Sequence, residues 1–149
     1  MSQRKVILLL GSNIKNPKKN IEEAILLVNK RLGNVIRKSE MLETEPVEFV
    51  SSNIFCNIAL LLETQLSPIQ ILDEIKSIEK AMGRIRDSKE LGGYEDRLID
   101  IDVVRFGNLS YKSNRLVIPH NKHLYERQFS QILLRQLELG DGENKELKL

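Results

Sequence analysis

One cysteine, no tryptophan and two histidines in 149 residues leave little for covalent cross-links or soft metal centres. The lone thiol, Cys56, excludes an internal disulfide; set in an apolar stretch, it reads as a small core hydrophobe, compatible with a reducing cytoplasm. Two histidines, His120 and His123, with no cysteine partner nearby do not make a zinc site. Neither a P-loop nor a GxGxxG fingerprint is present, so no glycine-rich turn is available to cradle phosphates. Neither charge sign dominates: 23 basic against 21 acidic residues gives a net +2, and electrostatics alone announce no nucleic-acid partner. Long apolar runs are also missing. Val6 to Leu10, behind Arg4-Lys5, mimics the start of a signal peptide, but it is short and ends at Gly11-Ser12-Asn13 with no cleavage pattern, so it reads as a strand. With 41% hydrophobic and 30% charged residues and no repeat, the chain reads as one domain over residues 1–149, neither disordered nor membrane-spanning. Residues 140–149 read as a frayed charged tail.

What is present is a run of ordered segments. After the first strand, Asn16-Pro17 supplies a cap and a first-turn proline, and Ile21, Ala24, Ile25, Val28 and Leu32 recur at helical spacing until Gly33. Val35 to Thr44 and Ile54 to Thr64 read as two strands with a long connection over Glu45 to Asn53. Ser67-Pro68-Ile69-Gln70 is a capping box, and Ile71, Leu72, Ile75, Ile78 and Met82 stripe a second helix ending at Gly83. A polar loop from Arg84 to Asp96 leads to a strand over Leu98 to Phe106, which completes βαββαβ: an α+β fold of ferredoxin-like type. A hairpin over Leu109 to Ile118 and a helix over Leu124 to Leu139 follow. In such folds helices cover one face of an antiparallel sheet and leave the other available.

The last strand of the core holds an anomaly. Side chains alternate faces along a strand, so Ile99, Ile101 and Val103 point one way while Asp100, Asp102, Val104 and Phe106 point the other. Two carboxylates roughly 5 Å apart repel by about 3 kcal/mol at an effective dielectric of 20, a penalty that a bound cation removes. Paired hard oxygens suit Mg²⁺, usually completed by substrate phosphates. The bland alternative is an edge strand whose acids are solvated or paired with Arg97 or Arg105. Arg84, Arg86 and Arg97 precede the acids, and Arg115, His120 and Arg127 follow them, so guanidinium forks stand on both sides in sequence to meet phosphate. His120 follows Pro119 and is able to hydrogen-bond a nucleotide, whereas His123 has no second feature to recommend it. Asn57 falls on the face opposite Cys56 and Ile58, on the side of the two acids.

Taken together, Leu10-Gly11-Ser12-Asn13, Thr44-Glu45-Pro46, Asn57 with Ala59, Glu79 with Gly83-Arg84-Ile85-Arg86, Arg97 to Asp102, Arg115 with Ile118-Pro119-His120, and Arg127 with Phe129 form an ordered series. The series resembles the 6-hydroxymethyl-7,8-dihydropterin pyrophosphokinase family. The resemblance implies a Mg²⁺-dependent transfer of pyrophosphate from ATP to the pterin hydroxymethyl group in folate biosynthesis, with AMP as the other product. It implies two Mg²⁺ ions on Asp100 and Asp102, catalytic cations at Arg84 and Arg97, and ATP contacts from Arg84, Arg86, Arg97, Arg115, His120 and Arg127. It places the pterin among Thr44, Glu45, Pro46, Val47, Phe55, Asn57, Tyr94 and Phe129, in a cytoplasmic monomer that binds neither nucleic acid nor membrane. Glu95-Asp96 stands where the family often has Gly-Pro, Tyr94 where tryptophan is frequent, and Leu134-Arg135 where Pro-Leu follows Arg-x-Phe. Two other readings stay open: a ferredoxin-like binding module for RNA or a small molecule, and a metal- and ATP-binding homologue without pterin transfer.

Overall fold

Val6, Leu8 and Leu10 alternate with Ile7 and Leu9, so the first strand is apolar on both faces. In the computed structural model, which describes residues 3–44, 54–83 and 98–139, that strand, β1 (Arg4–Ser12), is central. It precedes α1 (Pro17–Arg31) in sequence and lies between two antiparallel partners in space. β2 (Asn34–Lys38) and β3 (Leu42–Thr44) pair with β4 (Phe55–Thr64), α2 (Pro68–Ala81) follows, and β5 (Asp100–Phe106) pairs with β1. The sheet order β2-β4-β1-β5 is wholly antiparallel and ferredoxin-like, as the sequence implied. A short hairpin of β6 (Tyr111–Lys112) and β7 (Val117–Ile118), a π-turn (Lys122–Glu126) and α3 (Gln128–Leu139) complete the described chain. Among the described residues no helix is long and apolar enough to cross a membrane. The tail expected over 140–149 lies outside them.

The helix starts behave as their caps require. The Asn16 side chain accepts the Lys19 N–H ahead of Pro17, and Ser67 and Gln70 bond reciprocally, at 3.2 and 2.8 Å, ahead of α2. Both helices lay their apolar stripes on one face of the sheet, where Ile21, Val28, Ile71 and Ile75 meet Leu8, Leu10, Leu60 and Ile101.

Four expectations change. The second face of the sheet is not left bare: Leu133, Leu134 and Leu137 of α3 pack on Ile7, Leu9, Ala59, Leu61 and Val104. Phe106 turns to the face covered by α1 and α2, because the β1/β5 register shifts between Ile7 and Leu8 and leaves Val104 as an extra residue, which reverses the alternation beyond it. The strand expected over Val35 to Thr44 breaks into β2 and β3. There the Ser39 hydroxyl accepts the Ala59 N–H at 2.8 Å while the Ser39 N–H donates to Ala59 O, so a side chain replaces a backbone rung. The last helix starts at Gln128, after the π-turn closed by the Arg127 N–H donating to Lys122 O at 2.9 Å.

Candidate active site

Strand pairing places three side-chain positions in one row: Asn57 on β4 lies opposite Gly11 on β1, which lies opposite Asp100 on β5. The next row on that face is Ala59, Leu9 and Asp102. Gly11 is the gap that lets Asn57 lean across the sheet, since a Cβ there would sit 2.7 Å from Asn57 Oδ1. Ser12 Oγ donates to Leu98 O at 2.5 Å and accepts from Asn20 Nδ2 at 3.1 Å, tying the end of β1 to the start of the acidic strand. From the other side, buried Glu79 of α2 accepts the Ile101 N–H at 3.0 Å, between the two acids. The backbone that carries Asp100 and Asp102 is thus clamped on both flanks, an arrangement that fixes where two repelling carboxylates point.

Asp102 meets a residue for which the sequence reading found no role. His123 is 3% exposed, with Nε2 2.8 Å from Asp102 Oδ2 and Nδ1 2.7 Å from Ser130 Oγ. An ionised carboxylate only accepts, so Nε2 carries the proton toward Asp102 and, in the neutral ring, Nδ1 accepts the Ser130 hydroxyl. The His120 ring is 4.2 Å from that of His123, and Arg127 Nη1 lies 3.4 Å from its Nε2. Phe129 stands edge-on to the same imidazole at 6.2 Å. No local pattern announced this role: Arg127 takes extended backbone between the π-turn and α3, so His123 and Ser130 do not lie on one continuous helix.

Burial alone would raise the pKa of Asp102, but the hydrogen bond from His123 and the charges of His123, His120 and Arg127 outweigh it and hold the carboxyl below its ordinary value. Burial, with the neighbouring His123, likewise holds His120 below the ordinary imidazole value, against the pull of Asp102. Asp102 therefore contributes stability that is present above its unfolded pKa, about 3.9, and lost as pH falls through the lower folded value. Thermal melts from pH 6 downward should show the stability gap between the native chain and Asp102→Asn shrinking below about pH 4; a gap that grows in acid would reverse the sign of this coupling.

The structure brings several residues of the sequence-derived site together and leaves others apart. Asp100, Asp102 and Asn57 share the α3-side face, with Thr44 paired to Phe55 at the neighbouring edge of β4. His120 is held by its N–H on Val104 O at 2.9 Å, which brings the hairpin's end to the acidic strand. Arg115 is turned away from the acids, its Nη2 2.6 Å from Asp73 Oδ1 in an exposed pair of the kind worth about 0–1 kcal/mol. Arg84, Arg86, Tyr94, Arg97, Glu45, Pro46 and Val47 lie outside the described residues. Half-buried carboxylates on one face, one of them hydrogen-bonded through a single oxygen, are a donor set that fits Mg²⁺.

A ferredoxin-like α+β domain with an acid pair at one end of its sheet, overlooked by a histidine pair and an arginine, defines the class. Residues 7–139 match the family described as 7,8-dihydro-6-hydroxymethylpterin-pyrophosphokinase (HPPK), and the chain belongs to that family. It is 30% identical over 121 residues to the 2-amino-4-hydroxy-6-hydroxymethyldihydropteridine pyrophosphokinase of Bacillus subtilis (strain 168), covering 80% of this chain and 70% of that one. It is 36% identical over 128 residues to a mitochondrial folate synthesis bifunctional protein of Arabidopsis thaliana, covering 86% of this chain and 22% of that one. The chain thus spans about a quarter of the length of such bifunctional relatives. A crystal structure of Plasmodium falciparum HPPK-DHPS, a triple mutant with STZ-DHP, superposes with a TM-score of 0.66 at 16% identity, covering 90% of this chain and 38% of that one, a likeness of fold.

Proposed function

We propose that the chain transfers pyrophosphate from ATP to the hydroxymethyl group of 6-hydroxymethyl-7,8-dihydropterin, yielding the pterin diphosphate and AMP for folate biosynthesis. The observation that carries this reading is the acid pair Asp100 and Asp102 on one sheet face with Asn57 one strand away across Gly11, in a chain of the HPPK family. Asp100 and Asp102 would hold two Mg²⁺ ions, whose charge, when they are bound, offsets that of the bridging phosphate oxygens. His123, braced by Ser130, fixes the Asp102 carboxylate. His120 and Arg127, beside Asp102, would take phosphate oxygens, with Arg84, Arg86 and Arg97 as further cations and Arg115 joining them on leaving Asp73. Asn57, Thr44, Phe55 and Phe129, with Glu45, Pro46, Val47 and Tyr94, would receive the pterin. The hydroxymethyl oxygen attacks the β-phosphorus in line and AMP leaves; the residues act by alignment and charge and need no side-chain base. A single buried Cys56 suits a reducing compartment such as the cytoplasm, and the balanced charge suits a small-molecule enzyme with no nucleic-acid partner.

Incubation with ATP, Mg²⁺ and the hydroxymethyl pterin should give AMP and pterin diphosphate in equal amounts. Formation of ADP, or of no product, would refute the assignment.

A further inference from the structure

Imidazole nitrogens are poor partners for Mg²⁺ and good ones for borderline divalent ions, yet two histidines overlook the carboxylate expected to hold Mg²⁺. One donor atom each from Asp102, His120 and His123 lie within 4.8 Å of one another. Around a Zn²⁺ ion with bonds of about 2.0–2.1 Å, tetrahedral donors stand about 3.3 Å apart. The Asp102 to His123 pair, at 2.8 Å, must open slightly and the wider pairs must close. We propose that Asp102, His120 and His123 form a nucleotide-independent site for a transition-metal dication of the Zn²⁺ or Co²⁺ type, which shares only Asp102 with the Mg²⁺ pair.

The surroundings are those of a ligand histidine. His123 is buried, and its far nitrogen is anchored on buried Ser130 at 2.7 Å, the outer contact that orients a metal-bound imidazole. A serine serves both states. Without the ion, Nε2–H donates to Asp102 and the serine O–H donates to Nδ1; with it, the ring proton sits on Nδ1 and donates to Ser130 Oγ, freeing the Nε2 lone pair. His120 is fixed through its backbone N–H on Val104 O, while its Nδ1 takes only a 3.5 Å contact from the His123 N–H. The Asp102 side chain is 33% exposed and gives the ion its entry. The opposing group is Arg127, 3.4 Å from His123 Nε2, exposed and able to swing out. An ion seated here occupies Asp102 and displaces Mg²⁺ from it; that consequence rests on the pyrophosphokinase reading, whereas the site itself does not.

Titration of the nucleotide-free full chain with Co²⁺ and then Zn²⁺, followed by calorimetry and by the visible absorption of Co²⁺, tests the site. The native chain and Cys56→Ser should bind one ion, Zn²⁺ displacing Co²⁺. His120→Gln and His123→Gln should each weaken binding at least tenfold, Ser130→Ala by about 10–100-fold, and Arg127→Gln should tighten it through loss of a nearby positive charge. Because His120 is only half-buried, its variant keeps the test valid if His123→Gln fails to fold. Absence of a Co²⁺ band, or His120→Gln binding as tightly as the native chain, would overturn the site. In the AMP assay, Zn²⁺ inhibition should be relieved by excess Mg²⁺; inhibition indifferent to Mg²⁺ would overturn the competition. Histidine-dependent Co²⁺ binding in a chain that makes no AMP would uphold the site and reject the pyrophosphokinase reading.

Discussion

Asp102→Asn should lower the rate of AMP formation by on the order of 10³-fold, with Asp100→Asn close behind, because each removes a charge that no neighbouring group replaces. Developing negative charge on a transferring phosphoryl group is stabilised by prepositioned cations, which on the proposed reading these two acids would hold. Asparagine is the informative substitution at Asp102. Its amide oxygen still accepts the His123 Nε2–H, so the 2.8 Å contact and the fold are kept while the charge is lost. Alanine is a different experiment. Deleting one of two repelling acids would relieve the apo chain if nothing else held it, but here it strands a buried imidazole, a loss of about 1–3 kcal/mol. Asp102→Ala should therefore melt at a lower temperature than Asp102→Asn, with both inactive. Turnover of Asp102→Asn within tenfold of the native chain would remove Asp102 from the reaction.

The elements legible in the sequence were those whose signal is local. Asn16-Pro17 and the Ser67-Gln70 box announce helices that start where the structure starts them, because a cap involves only residues within one turn. The shared face of Asp100, Asp102 and Asn57 was also legible, since it needs only the period of two and the order of strands. What escaped depends on a second segment. Phe106 changes face because of one extra residue opposite β1, and no local pattern in Asp100–Phe106 distinguishes a bulged strand from a regular one. Ser39 interrupts its strand only because Ala59 stands across from it. His123 joins the site through a π-turn, which changes the angle between His120 and Ser130 relative to an ordinary helix and cannot be read from two histidines three residues apart. The cover that α3 gives the second face was hidden for a related reason: Leu133, Leu134 and Leu137 show that the helix has an apolar side, not which surface it meets.

One substitution at two glycines should separate the site from the scaffold. Exchange of glycine for alanine normally stabilises by about 0.4–1 kcal/mol through the unfolded chain, so steric room in the fold decides the sign. At Gly33 there is none: a Cβ would lie 2.1 Å from Glu63 O, 3.0 Å from Glu63 C and 3.1 Å from Thr64 Cα. All three are backbone atoms of β4, and Glu63 is paired to Lys5 on one side and Asn34 on the other, so the strand has nowhere to go. Relief would pull the α1–β2 junction away from the sheet and break the Thr64 hydroxyl's 2.6 Å bond to Leu32 O. Gly33→Ala should lose about 3 kcal/mol or more, near 10 °C in melting temperature for a chain of this size. At Gly11 the obstacle is the tip of Asn57, with the nearest backbone atom, Cys56 O, at 3.8 Å. That amide can rotate away, so Gly11→Ala should melt within about 1 kcal/mol of the native chain while its KM for the pterin rises and its KM for ATP changes little. The same methyl group thus destabilises the fold at one glycine and, at the other, moves only the amide proposed to read the substrate. A Gly11→Ala protein with unaltered pterin KM would take Asn57 out of that role, and a Gly33→Ala protein as stable as the native chain would show that β4 yields where its pairing says it cannot.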